Sequence, residues 1–258
     1  SGELTIQDND KNGSLKAAGG QYGAGIGGAG AANDAQVKIT GGKITATGGE
    51  YGAGIGGGFR GSGDVTISGG EIYANGGNYG AGIGGGDYRS GKVTISGGEI
   101  HATGGYLGAG IGGGGEKGSG DVTIEGNTEV NAAGGTGGAG IGGGYGAKNN
   151  SNSTGNQITI RSNENGSPTV NAVGGGTKKE IADIGGAGIG TGCNSNADTT
   201  ITLEGKVTIN ATAGKGNVAI GTNGNEQVFT GLAGGTSITR KDSDKNDIPP
   251  LPGDNVPT

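Results

Sequence analysis

Residues 65–86 read Val-Thr-Ile-Ser-Gly-Gly-Glu-Ile-Tyr-Ala-Asn-Gly-Gly-Asn-Tyr-Gly-Ala-Gly-Ile-Gly-Gly-Gly. Two apolar pairs, Val65/Ile67 and Ile72/Ala74, are each spaced two apart, the period of a strand with one buried side. A third pair, Ala81/Ile83, completes the unit. The unit recurs. Gly-Ala-Gly-Ile-Gly falls around Ile26, Ile55, Ile83, Ile111, Ile141 and Ile189, and a degenerate Asn-Val-Ala-Ile-Gly follows at Ile220. Successive isoleucines are 29, 28, 28, 30, 48 and 31 residues apart.

Lined up on that period, the chain resolves into columns. First-strand pairs are Leu4/Ile6, Val37/Ile39, Val65/Ile67, Val93/Ile95, Val122/Ile124, Ile158/Ile160 and Ile201/Leu203, with Thr5, Lys38, Thr66, Thr94, Thr123, Thr159 and Thr202 facing outward between them. Second-strand pairs run from Leu15/Ala17 through Ile44/Ala46 and Ile100/Ala102 to Ile209/Ala211. Their outward column is Lys16, Thr45, Tyr73, His101, Asn131, Asn171 and Asn210. In the third strand Ala and Ile face inward, and the intervening Gly25, Gly54, Gly82, Gly110, Gly140 and Gly188 are expected to form a bare outer strip. Three strands per repeat, stacking at about 4.8 Å per coil, predict an all-β chain: a single right-handed parallel β-helix of about seven coils of about 28 residues. The hand follows the general rule for parallel crossovers.

Composition agrees once the repeat is seen. With 71 Gly among 258 residues, 29% apolar and 3% aromatic content, an aperiodic chain would lack a core. A repeat fold shares its core between neighbours. No Gly-X-Y period is present, so collagen is excluded. A net charge of −6 argues against nucleic-acid partners. No run of 18 apolar residues supports membrane insertion. Cys193 stands alone and reads as a buried, inert thiol. The first residues already read as a strand, so the chain reads as an internal domain of a longer protein. Residues 1–240 form the helix domain, with a C-terminal cap from about 221 that uses Phe229 and Leu232; residues 241–258 form an Asp/Pro-rich linker to a following domain. Insertions fall at 145–157 and 191–199, and at 173–186 around Lys178, Lys179 and Glu180.

The units exemplified by residues 65–86 resemble the Gly-rich repeats of large cell-surface proteins of Gram-positive bacteria. More loosely, they are similar to the parallel β-helix carbohydrate-binding proteins of cellulolytic clostridia. The resemblance covers about residues 1–225 and implies an extracellular, cell-surface or secreted location. The looser family binds calcium through Asp beside its Gly-Ile element; those places here are Gly and Ala.

Candidate sites follow from the columns. Tyr22, Tyr51 and Tyr79 repeat just before the third strand, and Tyr106 precedes Leu107, which holds the equivalent place. Aromatic faces beside an outward Gly strip form either a corner ladder or a platform for sugar rings. Tyr73 and His101 neighbour each other in the second outward column, with Glu71 and Glu99 alongside. Carboxylates on adjacent rungs overlap the spacing of retaining glycosidases, although a repeated Glu column also follows from the repeat itself. Asp8, Asp10 and Asn12 have the oxygen spacing that opens a calcium loop. Gly19 stands where such a loop needs Glu, so a solvated turn competes with structural calcium there. No other cofactor is implied.

The expected function is a non-catalytic extracellular surface module. It binds a polysaccharide or host glycan, or serves as a rigid spacer, with further domains of the same chain as partners. A carbohydrate-active β-helix enzyme, with a groove bounded by the insertions at 145–157 and 173–186, is the alternative. The outward Thr column makes an ice-binding protein the remote one.

Overall fold

The computed structural model describes residues 2–10, 12–30, 34–148, 155–177, 184–222 and 224–251. Among these residues the secondary structure is all β, in three sheets. The first sheet stacks Glu3–Ile6, Ala35–Ile39, Gly63–Ile67, Gly91–Ile95, Gly120–Glu125, Asn156–Arg161 and Thr199–Glu204 in chain order. The second stacks Ser14–Ala18, Lys43–Thr47, Glu71–Asn75, Gly98–Thr103, Thr128–Ala133, Thr169–Val173 and Thr208–Thr212. The third is made of two-residue Ile-Gly strands beginning at Ile26, Ile55, Ile83, Ile111, Ile141 and Ile189, followed by Ile220–Thr222. All pairing between these rungs is parallel, as a β-helix requires.

Register follows the hydrophobic columns. Val65 pairs with Val93, and Ile67 with Ile95. Ile72 pairs with Ile100, and Ile83 with Ile111. Stacked Ile, Val and Ala from all three sheets form one buried cluster running up the rod. Each apolar side chain covers the one below, so little Leu or Phe is needed. In the first of these coils the inward Leu4 and Leu15 are 46% and 38% exposed. On the outer side of the second sheet, Asn171 Nδ2 donates to Asn131 Oδ1 at 2.9 Å and Asn210 Nδ2 to Asn171 Oδ1 at 2.8 Å. Cys193 is buried.

Two expectations need correction. The glycines between Ala and Ile do not form an open outer strip: Gly54, Gly82, Gly110, Gly140 and Gly188 are buried. A Cβ on Gly54 would lie 2.6 Å from the Gly82 carbonyl oxygen and 2.7 Å from the Asn75 amide nitrogen. Gly82 meets Thr103 and Gly110 meets Ala133 in the same way. The third sheet thus packs backbone to backbone against the ends of the second-sheet strands. Glycine is required there because a side chain has no room.

The helix also continues past Ile220. Ser237–Lys241 adds an eighth rung to the second sheet, parallel to Thr208–Thr212, and Asp247–Ile248 pairs antiparallel on it. The boundary predicted after residue 240 falls inside this strand. Arg240 occupies an inward position opposite Ala211 and is only 3% exposed. Its Nε lies 3.4 Å from Glu226 Oε2, and its Nη2 donates to the Gln227 carbonyl at 2.9 Å. Glu226 in turn accepts from the amides of Ala219 and Ile220 at 2.6 and 3.2 Å. These are the amides that a further rung would otherwise pair. Phe229 packs into the core and Leu232 against it. Lys178, Lys179, Glu180 and residues 149–154 and 252–258 lie outside the described residues.

Candidate functional site: an aromatic groove at one corner

Tyr22, Tyr51 and Tyr79 stand one above another just before the third sheet. Adjacent ring centroids are 5.4 and 5.2 Å apart, with interplanar angles of 11° and 7°. Near-parallel rings this close are too near to lie side by side in one plane, so each overlaps the next. The ladder therefore uses ring faces internally, unlike a flat platform. Leu107 holds the fourth place and is buried. The residues lining the groove described next do not include Tyr106.

What faces the ladder is the turn that follows each Ile-Gly-Gly-Gly stretch. The amide of Phe59 donates to the Tyr22 carbonyl at 2.7 Å, Asp87 to Tyr51 at 2.9 Å, and Gly115 to Tyr79 at 2.7 Å. Each turn is thereby pinned to the tyrosine of the coil before it. Phe59 lies across the lower rings, 5.6 Å from Tyr22 and 5.3 Å from Tyr51. Between ladder and turns lies a groove of about 380 Å³, lined by Tyr22, Tyr51, Phe59, Arg60, Tyr79, Asp87, Tyr88 and Glu116.

The backbone of these turns is strained in a pattern. Arg60, Tyr88 and Glu116 have φ of 56°, 64° and 50°. The same step of later coils is filled by Gly146 at 66° and Asn194 at 53°, residue types suited to left-handed backbone. Three consecutive coils instead carry large polar or charged side chains, at a cost of roughly 1–2 kcal/mol each. All three point their chemistry at the groove lining.

Asp87 is the unusual group. It is 2% exposed, and its Oδ1 is buried with no hydrogen-bond partner among the described residues. Burial raises its pKa to about 7; the neighbouring Glu116 charge adds to the rise, while the Tyr88 amide and Arg60 oppose it. A hydrogen bond to Glu116 pushes the Tyr88 phenol up to about 12. The Arg60 guanidinium sits 5.1 Å from the Phe59 ring and 5.8 Å from that of Tyr88, and Lys117 Nζ lies 5.7 Å from Tyr88. Two acids and two bases thus interleave around one aromatic groove. Phe59, Arg60, Asp87, Tyr88 and Glu116 fall outside the sequence columns, which end at the last Gly of each repeat. The signal was the step holding Gly146 and Asn194 in two coils and Arg, Tyr and Glu in three.

The other predicted sites sit elsewhere. Tyr73 and His101 stack on the outer side of the second sheet, with centroids 4.7 Å apart at 4°. Glu71 is engaged by Lys43 Nζ at 2.7 Å and by the Tyr73 hydroxyl at 2.8 Å, and the Lys43 bond holds its carboxyl below the usual range. Glu99 contacts His101 Nε2 at 2.9 Å. These carboxylates neighbour each other on adjacent rungs, but each is tied to its own local partner on an open strand face. Asp8 folds back on its own turn, accepting from the amides of Asp10 and Gly13 at 3.2 and 2.8 Å. Among the described residues no group of three or more His, Cys, Asp or Glu is placed to hold a metal ion.

A family model described as "Beta helix repeat" matches residues 37–59, 65–87, 93–115 and 122–145. This is a parallel β-helix repeat domain. Each matched window of the repeat domain starts at an inward Val of the first sheet and ends at a turn residue of the corner column: Phe59, Asp87, Gly115 and Tyr145. Of the groove lining, Tyr51, Phe59, Tyr79 and Asp87 lie inside the matched windows, whereas Arg60, Tyr88 and Glu116 each follow the end of one and Tyr22 precedes the first. No curated protein and no solved structure matches the chain.

Proposed function

We propose that the repeat domain is a non-catalytic glycan-binding module of an extracellular, cell-surface protein, and that the ligand lies in the groove between the tyrosine ladder and the turns. The observation that carries this reading is the groove itself: five aromatic rings around a buried carboxylate lacking a partner. Sugars offer apolar C–H faces and a dense set of hydroxyls. The apolar edges of the stacked tyrosines and the Phe59 ring suit the first, and a few convergent polar groups suit the second. The resemblance to Gly-rich bacterial surface repeats supports the location. A net charge of −6 fits a ligand other than nucleic acid.

A glycan array tests the reading. Wild-type protein should bind at least one glycan class. Tyr51→Ala should reduce that binding at least tenfold, and Tyr73→Ala, on the second-sheet face, should leave it intact. A blank array, or loss only with Tyr73→Ala, would count against the groove.

One observation favours a second reading, a carbohydrate-active enzyme at the same groove. Asp87 has a pKa near 7 with Glu116 beside it, a combination that can supply a general acid and a base. It requires new reducing ends to appear from a bound polysaccharide and to vanish in Asp87→Asn and Glu116→Gln. Binding without turnover supports the module.

A further inference from the structure

Resting on the glycan-binding reading, we infer that the groove selects a neutral sugar ring through two adjacent hydroxyls, one giving its hydrogen to Asp87 and the next accepting from Arg60. Asp87 lines the groove, and its buried Oδ1 lacks a donor among the described residues. A buried acceptor without a partner is costly, so a ligand that supplies the donor gains that cost back in affinity. Arg60 is the complementary donor. It lies over Phe59 and Tyr88, and its amide donates to the Asp87 carbonyl at 3.2 Å, so the two residues are adjacent. A vicinal diol is at once donor and acceptor, which matches such a pair.

Charge decides the class of ring. A uronic acid gains Arg60 and Lys117 but must sit against Asp87 and Glu116, and an ammonium-bearing amino sugar meets the reverse. A neutral hexose meets neither penalty. The volume of about 380 Å³ lies at the small end for ligand pockets, about 300–1,000 Å³, and suits one or two rings. The strained turns at Arg60, Tyr88 and Glu116 are a second sign that these side chains are placed for a ligand.

Binding should depend on pH through Asp87. Facing it are Arg60 and Tyr51 from the coil before, Tyr88 on its own turn, and Glu116 from the coil after, with Lys117 beyond over the Tyr88 ring. A hydroxyl donor stabilises the ionised carboxylate. Association with a neutral sugar therefore strengthens as pH rises towards and through about 7.

Calorimetry on the intact chain at pH 5.5, 7 and 8.5 tests this, with three probe sets: neutral oligosaccharides of glucose, galactose and mannose; oligogalacturonate; and chitosan oligosaccharide. At least one neutral series should bind tenfold or more tighter than either charged series, and about tenfold tighter at pH 8.5 than at 5.5. Asp87→Asn, which keeps the volume, should remove the pH dependence, and a permethylated neutral ligand should not bind. Equal or tighter binding of either charged series, or pH-independent neutral binding, would overturn the inference while leaving a glycan-binding groove standing. Failure of all three probes overturns the inference alone if the array binding is lost in Tyr51→Ala, and both readings if the array is blank.

Discussion

At the residue scale, glycine does more here than open turns. Gly49, Gly77, Gly105 and Gly135 each sit directly over a carbonyl of the glycine one coil earlier, so that a Cβ would strike it. Gly20 holds the same place in the first coil and has open space around it. Substitution should therefore depend on rung and not on residue type. Gly77→Ala should destabilise by about 2–3 kcal/mol, because rigid backbone must move to accept it. Gly20→Ala should change stability by less than about 0.5 kcal/mol. Urea midpoints of the two variants, measured side by side, check this; equal losses would mean that backbone contact is not what demands the glycine. Asp87 shows the other residue-scale lesson. Its type was visible in the sequence, but nothing in the local pattern marks one Asp as buried, since its neighbours, Tyr51 one coil below and Glu116 one coil above, are distant in the chain.

At the element scale, the inward and outward columns of all three strands were legible because a two-residue period leaves little freedom once the repeat length is known. Val65 stacking on Val93, and Tyr73 on His101, follow from that arithmetic. The third strand was legible in register but not in exposure. Its short Ile-Gly rungs alternate correctly, yet their outer side is covered by second-sheet backbone, a layering that one-dimensional alternation cannot express. The eighth rung was missed for a related reason: Arg240 stands where the pattern demands a small apolar residue. It is tolerated because Glu226 answers its charge and caps the Ala219 and Ile220 amides. Removing the acid strands a buried guanidinium, so Glu226→Ala should cost on the order of 3 kcal/mol. The loss should show as a lower thermal midpoint, with amide exchange accelerating first in Ile220–Thr222 and Ser237–Lys241. A midpoint unchanged by Glu226→Ala would mean that the pair does not hold the end of the rod.

At the scale of the whole molecule, the rod is a regular scaffold that carries an irregular aromatic corner among the described residues. Coils from Tyr22 to Glu116 depart from the repeat in the same place: aromatic residues enter the ladder, and large side chains occupy a left-handed backbone step. The tyrosines were readable as a ladder from their spacing. Their opposing wall was not, because it is assembled from turn residues about 28 positions apart whose identities differ in every coil. A spacer needs none of this departure, whereas a binding module must touch its ligand at the corner. The most direct measurement is an amide chemical-shift map of the isotopically labelled chain titrated with the glycan it binds best. Shifts should concentrate at Phe59, Arg60, Asp87, Tyr88 and Glu116, with the Thr66, Thr94 and Thr123 column and the Tyr73–His101 face unmoved. Shifts centred on either of those faces, with the corner silent, would contradict it.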